Sequence, residues 1–232
     1  MRDQVFRTED DDVTVCIPTL NEEESIGEVV EDVRRNGYEP LVIDGGSADD
    51  TQEVAERNGA VVVEQSYSGG KGAAVVEVMD NLDDGILVLL DGDCTYEPTH
   101  IDRIVEAVRE NGYQHVIGNR FANMEEDAMS KSHIFGNKCA NLSFRIIIGE
   151  YLVDVLSGFR AIDLDSFNSE SIQSRGFDIE SELCAYSVSE GHDVKVMDTS
   201  YYKRRGESKL GEVSDTVKIL KRMVDCRRRM DF

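Results

Sequence analysis

The chain is 232 residues long and carries 47 acidic against 25 basic residues, a formal net charge of −22. That length suits one large α/β domain or two closely packed halves, and that charge repels nucleic acid. No run of eighteen apolar residues exists and the acidic stretch 1–12 lacks the regions of a signal peptide, so neither a spanning helix nor a leader is expected; the dense carboxylate content reads as adaptation to concentrated salt, with a generic acidic surface as the alternative.

Residues 13–17 read as an apolar strand ended by Pro18, and Asn21 is placed to cap a helix over 22–35 closed by Asn36-Gly37. A strand over 41–43, a helix over 50–58 stopped by Gly59, and a strand over 60–64 follow. The alternation continues with a helix over 71–81, a strand over 86–90, a helix from Pro98 or Thr99 to Glu110 and a strand over 115–118. Beyond Gly118 it loosens. There the pattern predicts a helix over 136–149, a loop from Asp154 into a short strand, a helix over 178–190 and a strand over 194–197. An amphipathic helix over 213–224 is expected to gather Val213, Val217, Leu220 and Val224 on one face.

Strand–helix alternation with apolar strands implies an α/β fold: a mostly parallel central sheet with helices on both faces. Ligands of such sheets bind outside the carboxyl ends of the strands, so the loops there are the places to look for chemistry. Cys16, Cys94, Cys139, Cys184 and Cys226 are scattered and never spaced CxxC, which fits reduced thiols in a cytoplasmic protein. The four histidines are dispersed and support no zinc site. From Tyr201 onward basic residues outnumber acidic ones, and this end suits either an anionic target (phosphate or a membrane surface) or plain helix solvation.

The strongest chemical signal is Asp91-Gly92-Asp93, delivered into solvent by the apolar run 86–90. Two hard carboxylates beside a flexible glycine suit Mg²⁺ or Mn²⁺ shared with phosphates. An EF-hand fails here, because Tyr96 stands where that loop needs glycine and Asp102 where it needs glutamate. Asp44-Gly45-Gly46-Ser47 also follows a strand; it reads as a base or ribose contact or as a turn. Ser68-Gly69-Gly70-Lys71-Gly72 is not a Walker loop, since Gln65 replaces the first glycine, but a glycine-rich helix start with Lys71 can hold phosphate. Cationic clusters at Arg120, Arg160 and 204–209 suit phosphate binding or pairing with surface acids.

Taken in order, Ile17–Glu22, Asp44–Ser47, Gly70–Gly72, Asp91–Asp93, Gly118–Arg120, Ser157–Arg160 and Gly206–Leu210 resemble family 2 glycosyltransferases over about 13–210, in particular the dolichyl- and polyprenyl-phosphate hexose synthases. The resemblance implies a GT-A fold, with a nucleotide-sugar-binding half over 13–118, an acceptor half over 119–210 and a basic amphipathic helix over 211–232. It implies an inverting, metal-dependent transfer of a hexose from UDP-glucose or GDP-mannose to a lipid phosphate, by a protein in peripheral contact with the inner face of the cell membrane. By resemblance, Pro18, Thr19, Asn21, Glu22, Asp44, Ser47 and Lys71 serve the donor with Asp91, Gly92 and Asp93, the two aspartates also holding metal. Arg120, Asn137, Ser157, Arg160, Arg204, Ser208 and Lys209 serve the phosphates and the acceptor, and Asp91, Asp93 and Arg160 are the catalytic candidates. The chain departs from the pattern in Asp44-Gly45, where Asp-Asp is common, and in His133, where the synthases often place arginine. Two other readings stay open. One is transfer to a sugar hydroxyl, for which Asp154 is the candidate base; the other is a non-catalytic nucleotide-sugar-binding module.

Overall fold

The first apolar run, β1 (Val13–Thr19), is paired on both sides, parallel to β2 (Pro40–Asp44) and to β4 (Ile86–Leu89). The structure, a computed structural model, describes Phe6 and residues 12–82, 84–206 and 212–230. β3 (Val61–Glu64) extends the sheet beyond β2 in parallel. On the other side come β6 (Arg160–Asp163), antiparallel to both its neighbours, then β5 (His115–Met124) and β7 (Val194–Tyr201), which run parallel to each other. The order is β3-β2-β1-β4-β6-β5-β7, a mostly parallel seven-stranded sheet as the alternation predicts.

Because successive side chains point to opposite faces, each strand feeds two cores. Val15, Ile17, Val42 and Val88 pack with α1 (Ile26–Arg35) and α4 (Ile101–Arg109). Cys16, Leu41, Ile43, Leu87 and Leu89 face α3 (Lys71–Asn81) and α6 (Ile179–Ser189). α2 (Thr51–Arg57) covers the first face through Ala55. A third cluster joins Ile117 to α5 (Lys131–Ile148) and α7 (Glu212–Arg229). Burying each such Val, Leu or Ile contributes roughly 1.5–3 kcal/mol, so these faces hold the strand ends in place.

Four expectations are corrected by the structure. α1 starts at Ile26, not at 22, because Asn21 adopts φ 50° and its side chain accepts from the Ala48 amide instead of capping the helix. α5 begins five residues earlier than expected, at Lys131, where the Ser130 side chain caps the His133 amide. The buried face of α7 is Ile219, Met223 and Cys226, while Val217 is 60% exposed. Of the expected stripe, Leu220 packs against the third cluster and the Val213 side chain lies outside the described residues, but Val217 faces away, since α5 and α6 dictate which side is covered. Finally, β5 continues to Met124, with a register shift against β7 between Asn119 and Asn123. Such irregularities re-aim side chains, and Arg120 lies inside this one.

Candidate active site

β4 brings Asp91 and Asp93 to its carboxyl end. Gly92 between them packs against Thr19, where a side chain would press to 3.0 Å from the threonine methyl, and its carbonyl accepts from Ser25 Oγ at 2.7 Å. Lys71, the first residue of α3, reaches across with Nζ 2.5 Å from Asp91 Oδ1 and 2.7 Å from Glu180 Oε1 of α6. Burial alone would pull the Lys71 ammonium down, but the Asp91 and Glu180 carboxylates outweigh it and hold its pKa above the ordinary lysine value. For Asp91, burial acts upward, yet Lys71, Arg120 and Arg204 together hold the carboxyl below its ordinary range.

Asp93 lies in a different field. Burial and the charge of Asp91 raise its carboxyl, against the pull of Arg204. Its Oδ1 accepts from Thr95 N at 3.2 Å and Thr95 Oγ1 at 2.6 Å. Arg204 lies over the turn, with Nε 3.3 Å from Asp93 Oδ2 and Nη2 3.0 Å from Glu22 Oε1. The next residue of this segment, Arg205, pairs with Glu28 of α1. Ser208 and Lys209 lie outside the described residues.

At the neighbouring strand ends, Thr19 stands beside Asp44 and Pro18 beside Ile43 in the β1–β2 register. The buried Asp44 carboxylate accepts from the amides of Gly46 and Ser47 at 3.0 and 2.8 Å, from Ser47 Oγ at 2.5 Å and from Gln52 Nε2 at 2.7 Å. Its geometry is that of a turn-closing residue. Asn21 N donates to Ser47 Oγ at 2.8 Å and Glu22 N to Thr51 Oγ1 at 2.8 Å, so the loops after β1 and β2 are stitched together. The start of α3 differs from expectation: Gly70 N and Ala73 N donate to Arg175 O at 2.7 and 3.3 Å, so the helix start is capped by protein rather than left wholly open to phosphate.

On the other flank Arg120 is buried against Asp154. Its Nε is 2.9 Å and its Nη2 2.5 Å from that carboxylate, its amide donates to the same group at 2.8 Å, and Nη2 also donates to Asn137 Oδ1 of α5 at 2.8 Å. The guanidinium lies 5.6 Å from the Tyr201 ring centroid. Among the described residues Nη1 has no hydrogen-bond partner, which leaves one face of the fork for an anion.

Arg160 is not at the cleft. Its side chain is fully buried and donates to the carbonyls of Ser157, Val155 and Glu180, with Nη1 3.3 Å from His115 Nε2. Those partners, backbone carbonyls and a buried histidine ring, occupy the guanidinium, and this buried position does not support the expected phosphate and catalytic roles. Ser157 is also fully buried, its hydroxyl 3.3 Å from Tyr96 Oη and directed at Phe159 O. What this segment contributes is Gly158, where any side chain would overlap the Asp91 carboxylate. Glu180 and Tyr96 were missed by sequence reasoning. Glu180 has no local signal beyond its place in the first turn of a helix, and its partner Lys71 comes from a distant helix. Tyr96 fills the position that rules out an EF-hand and donates nothing recognisable in sequence; in the fold its hydroxyl accepts from Gly158 N at 2.9 Å.

Among the described residues no group of three His, Cys, Asp or Glu side chains gathers to hold a metal. Asp91 and Asp93 still fit Mg²⁺ or Mn²⁺ chemically: both are hard oxygen donors on one turn, and such ions commonly complete their shell with phosphate oxygens and water. No helix among the described residues is long and apolar enough to cross a membrane.

Residues 14–168 match the family described as "Glycosyl transferase family 2". The chain is 44% identical over 196 residues to glycosyltransferase AglJ of Haloferax volcanii, covering 84% of this chain and 64% of the relative, so it spans less than two thirds of that protein's length. It is 30% identical to the dolichyl-phosphate hexose transferase of the same organism, over 86% of this chain and 87% of the relative. Among solved structures, glucosyl-3-phosphoglycerate synthase from Mycobacterium tuberculosis, in complex with Mn²⁺, UDP-glucose and phosphoglyceric acid, aligns with a TM-score of 0.77 at 20% identity, covering 95% of this chain and 81% of that one. That likeness shows the fold, the GT-A arrangement.

Proposed function

Since the chain belongs to glycosyl transferase family 2, we propose that it moves a hexose from a nucleotide sugar, UDP-glucose or GDP-mannose, to dolichyl or polyprenyl phosphate for protein-linked or surface glycan assembly. The observation that carries the reading is the nearness of two unlike stations, one anionic and one cationic. The Asp91–Asp93 turn suits a metal-bound diphosphate. Arg120, close enough to depress the Asp91 carboxyl, keeps Nη1 for a second phosphate. The dolichyl-phosphate hexose transferase of Haloferax volcanii supports a lipid phosphate acceptor, and the Mn²⁺ and UDP-glucose complex of the fold neighbour supports the donor and the ion.

In this reading the loops at Pro18–Glu22 and Asp44–Ser47 hold the nucleotide, and Asp91 and Asp93 orient sugar and diphosphate. A divalent ion, when bound there, would stabilise negative charge on the departing nucleoside diphosphate. Arg204 lies where it can add to that stabilisation. Arg120, held by Asp154 and Asn137, would place the acceptor phosphate for in-line attack on the anomeric carbon with inversion. A phosphate is already ionised at neutral pH, so no general base is required. A sugar hydroxyl would need one, and its candidate, Asp154, is fully buried and taken up by Arg120. The protein would work at the cytoplasmic face of the membrane, as a peripheral partner of the lipid.

The test is a panel of radiolabelled nucleotide sugars against polyprenyl phosphate and soluble glycans, with Mn²⁺ or Mg²⁺ at high salt. Transfer to the lipid phosphate alone is expected. Transfer only to glycans, or donor binding without turnover under every condition, would sink the reading.

A further inference from the structure

α5 is unusual for this protein. In a chain with 47 acidic residues, its eighteen residues contain Lys131, Lys138 and Arg145 and no Asp or Glu. None of the three cations makes an ion pair with a described residue, although unpaired acids abound elsewhere. The helix also exposes large apolar side chains: Phe135 is 70%, Leu142 56% and Ile146 74% exposed. With the exposed Cys139 they recur at i, i+4, i+7 and i+11, which is one face of an α-helix. The opposite face, Ala140, Phe144 and Ile148, is buried in the third core cluster. Just past the Gly149 cap, Tyr151 is 61% exposed, with the Arg145 guanidinium 5.7 Å from its ring centroid.

A continuous apolar stripe flanked by cations and closed by an aromatic ring is how a helix lies in the boundary between headgroups and acyl chains. Charge selects the occupant. A surface of net charge −22 is repelled by an anionic bilayer, so contact requires a locally cationic face. The basic residues of α7 are poorer candidates. Arg222 and Arg229 are committed to Asp178 and Glu182, Lys218 pairs with Asp215, and Val217 is its one strongly exposed large apolar residue among those described.

We infer that the outer face of α5 (Phe135, Leu142 and Ile146 with Lys131, Lys138 and Arg145) docks the protein on an anionic lipid surface. The inference rests on the lipid-phosphate reading and places its membrane contact: the same helix presents Asn137 inward to Arg120, so the docked face and the proposed acceptor station share one element.

The experiment is co-sedimentation of the full chain with vesicles of phosphatidylglycerol and phosphatidylcholine, or of phosphatidylcholine alone. The expected result is binding that favours the anionic vesicles at low salt. F135S/I146S should weaken partitioning by at least about tenfold at both about 0.1 M and about 1 M salt, because two large apolar side chains leave the boundary. K131Q/K138Q/R145Q should weaken it by about fivefold per charge at low salt and little at about 1 M, where screening extends over only about 3 Å. Arg227→Gln/Arg228→Gln in α7 should bind as the parent does. All these side chains are surface groups, and circular dichroism of each variant confirms the fold. Failure of the parent to bind either vesicle, or parent-like binding by the α5 variants, overturns the proposal. So does a parent dimer in sedimentation velocity that F135S/I146S dissolves, since a second copy would then cover the stripe. A short-chain isoprenyl phosphate in free solution separates the two readings. If the α5 variants glycosylate it normally while losing vesicles, both stand. If no isoprenyl phosphate is ever glycosylated but vesicle binding still tracks α5, docking stands and the acceptor reading falls.

Discussion

Two buried charge clusters stand close to each other, and they are built on opposite principles. Lys71 is shared by Asp91 and Glu180, one cation for two acids, so the Asp91 flank is left electronegative. Arg120 is matched by Asp154 alone and propped by the neutral Asn137, so the Arg120 flank balances its charge and keeps Nη1 without a partner among the described residues. The first arrangement asks for a further cation, the second for an anion. A buried pair rarely adds much net stability over an apolar replacement, but breaking one leaves an uncompensated charge. The clusters therefore predict site polarity better than they predict stability.

That contrast can be broken at several points. The largest effect is expected at the electronegative flank: Asp91→Ala or Asp93→Ala should reduce sugar transfer by about 10³-fold, measured with labelled donor in the presence of Mn²⁺. Near-normal turnover would remove the metal and diphosphate from this turn.

Lys71→Met should cost roughly 3–5 kcal/mol in denaturant unfolding at neutral pH, because Asp91 and Glu180 would be left facing each other unpaired. Its pH dependence should also flatten. In the parent the depressed Asp91 carboxyl contributes stability that is complete above the ordinary carboxylate value and is lost as pH falls through its lower folded value. In the variant Arg120 and Arg204 still oppose the burial of Asp91, but the largest pull is gone, so its carboxyl should rise and less stability should be lost as pH falls. Parallel pH profiles would show that Lys71 does not hold the cluster.

Arg120→Lys keeps the charge but not the fork. The half-saturating concentration of the lipid acceptor should rise about tenfold, the worth of one charge-assisted hydrogen bond, while nucleotide-sugar affinity by calorimetry stays constant. A matching loss of donor affinity would merge the two flanks into one site. The smallest effect belongs to Asn137→Ala, about 1 kcal/mol in unfolding, since Asp154 still pairs with Arg120. A larger loss would make Asn137 a full partner in the pair.

Much of this was legible along the chain. Each of β1, β2 and β4 is a local apolar run bounded by turn residues, and Asp91-Gly92-Asp93 is recognisable because an apolar strand leads straight into it. Arg120 was identifiable as a candidate cation. Arg160 was equally visible and misleading, because an arginine in a polar loop motif looks alike whether it faces a ligand or ties down carbonyls. Glu180 was invisible, since it matters through a lysine on another helix. On α7 hydrophobic periodicity selected Val217, whereas packing against α5 and α6 buries Ile219, Met223 and Cys226.

The sequence by itself determined the strand order in time, the turn chemistry at each strand end and the acidic character of the surface, because these depend on neighbours within a few residues. The tertiary structure alone decided which charges meet and which faces are covered. Coulomb interactions and burial depend on distance in space, and here the decisive partners (Lys71 with Glu180, Arg120 with Asp154, Arg204 with Asp93) are separated in the chain and adjoin only once the sheet is assembled.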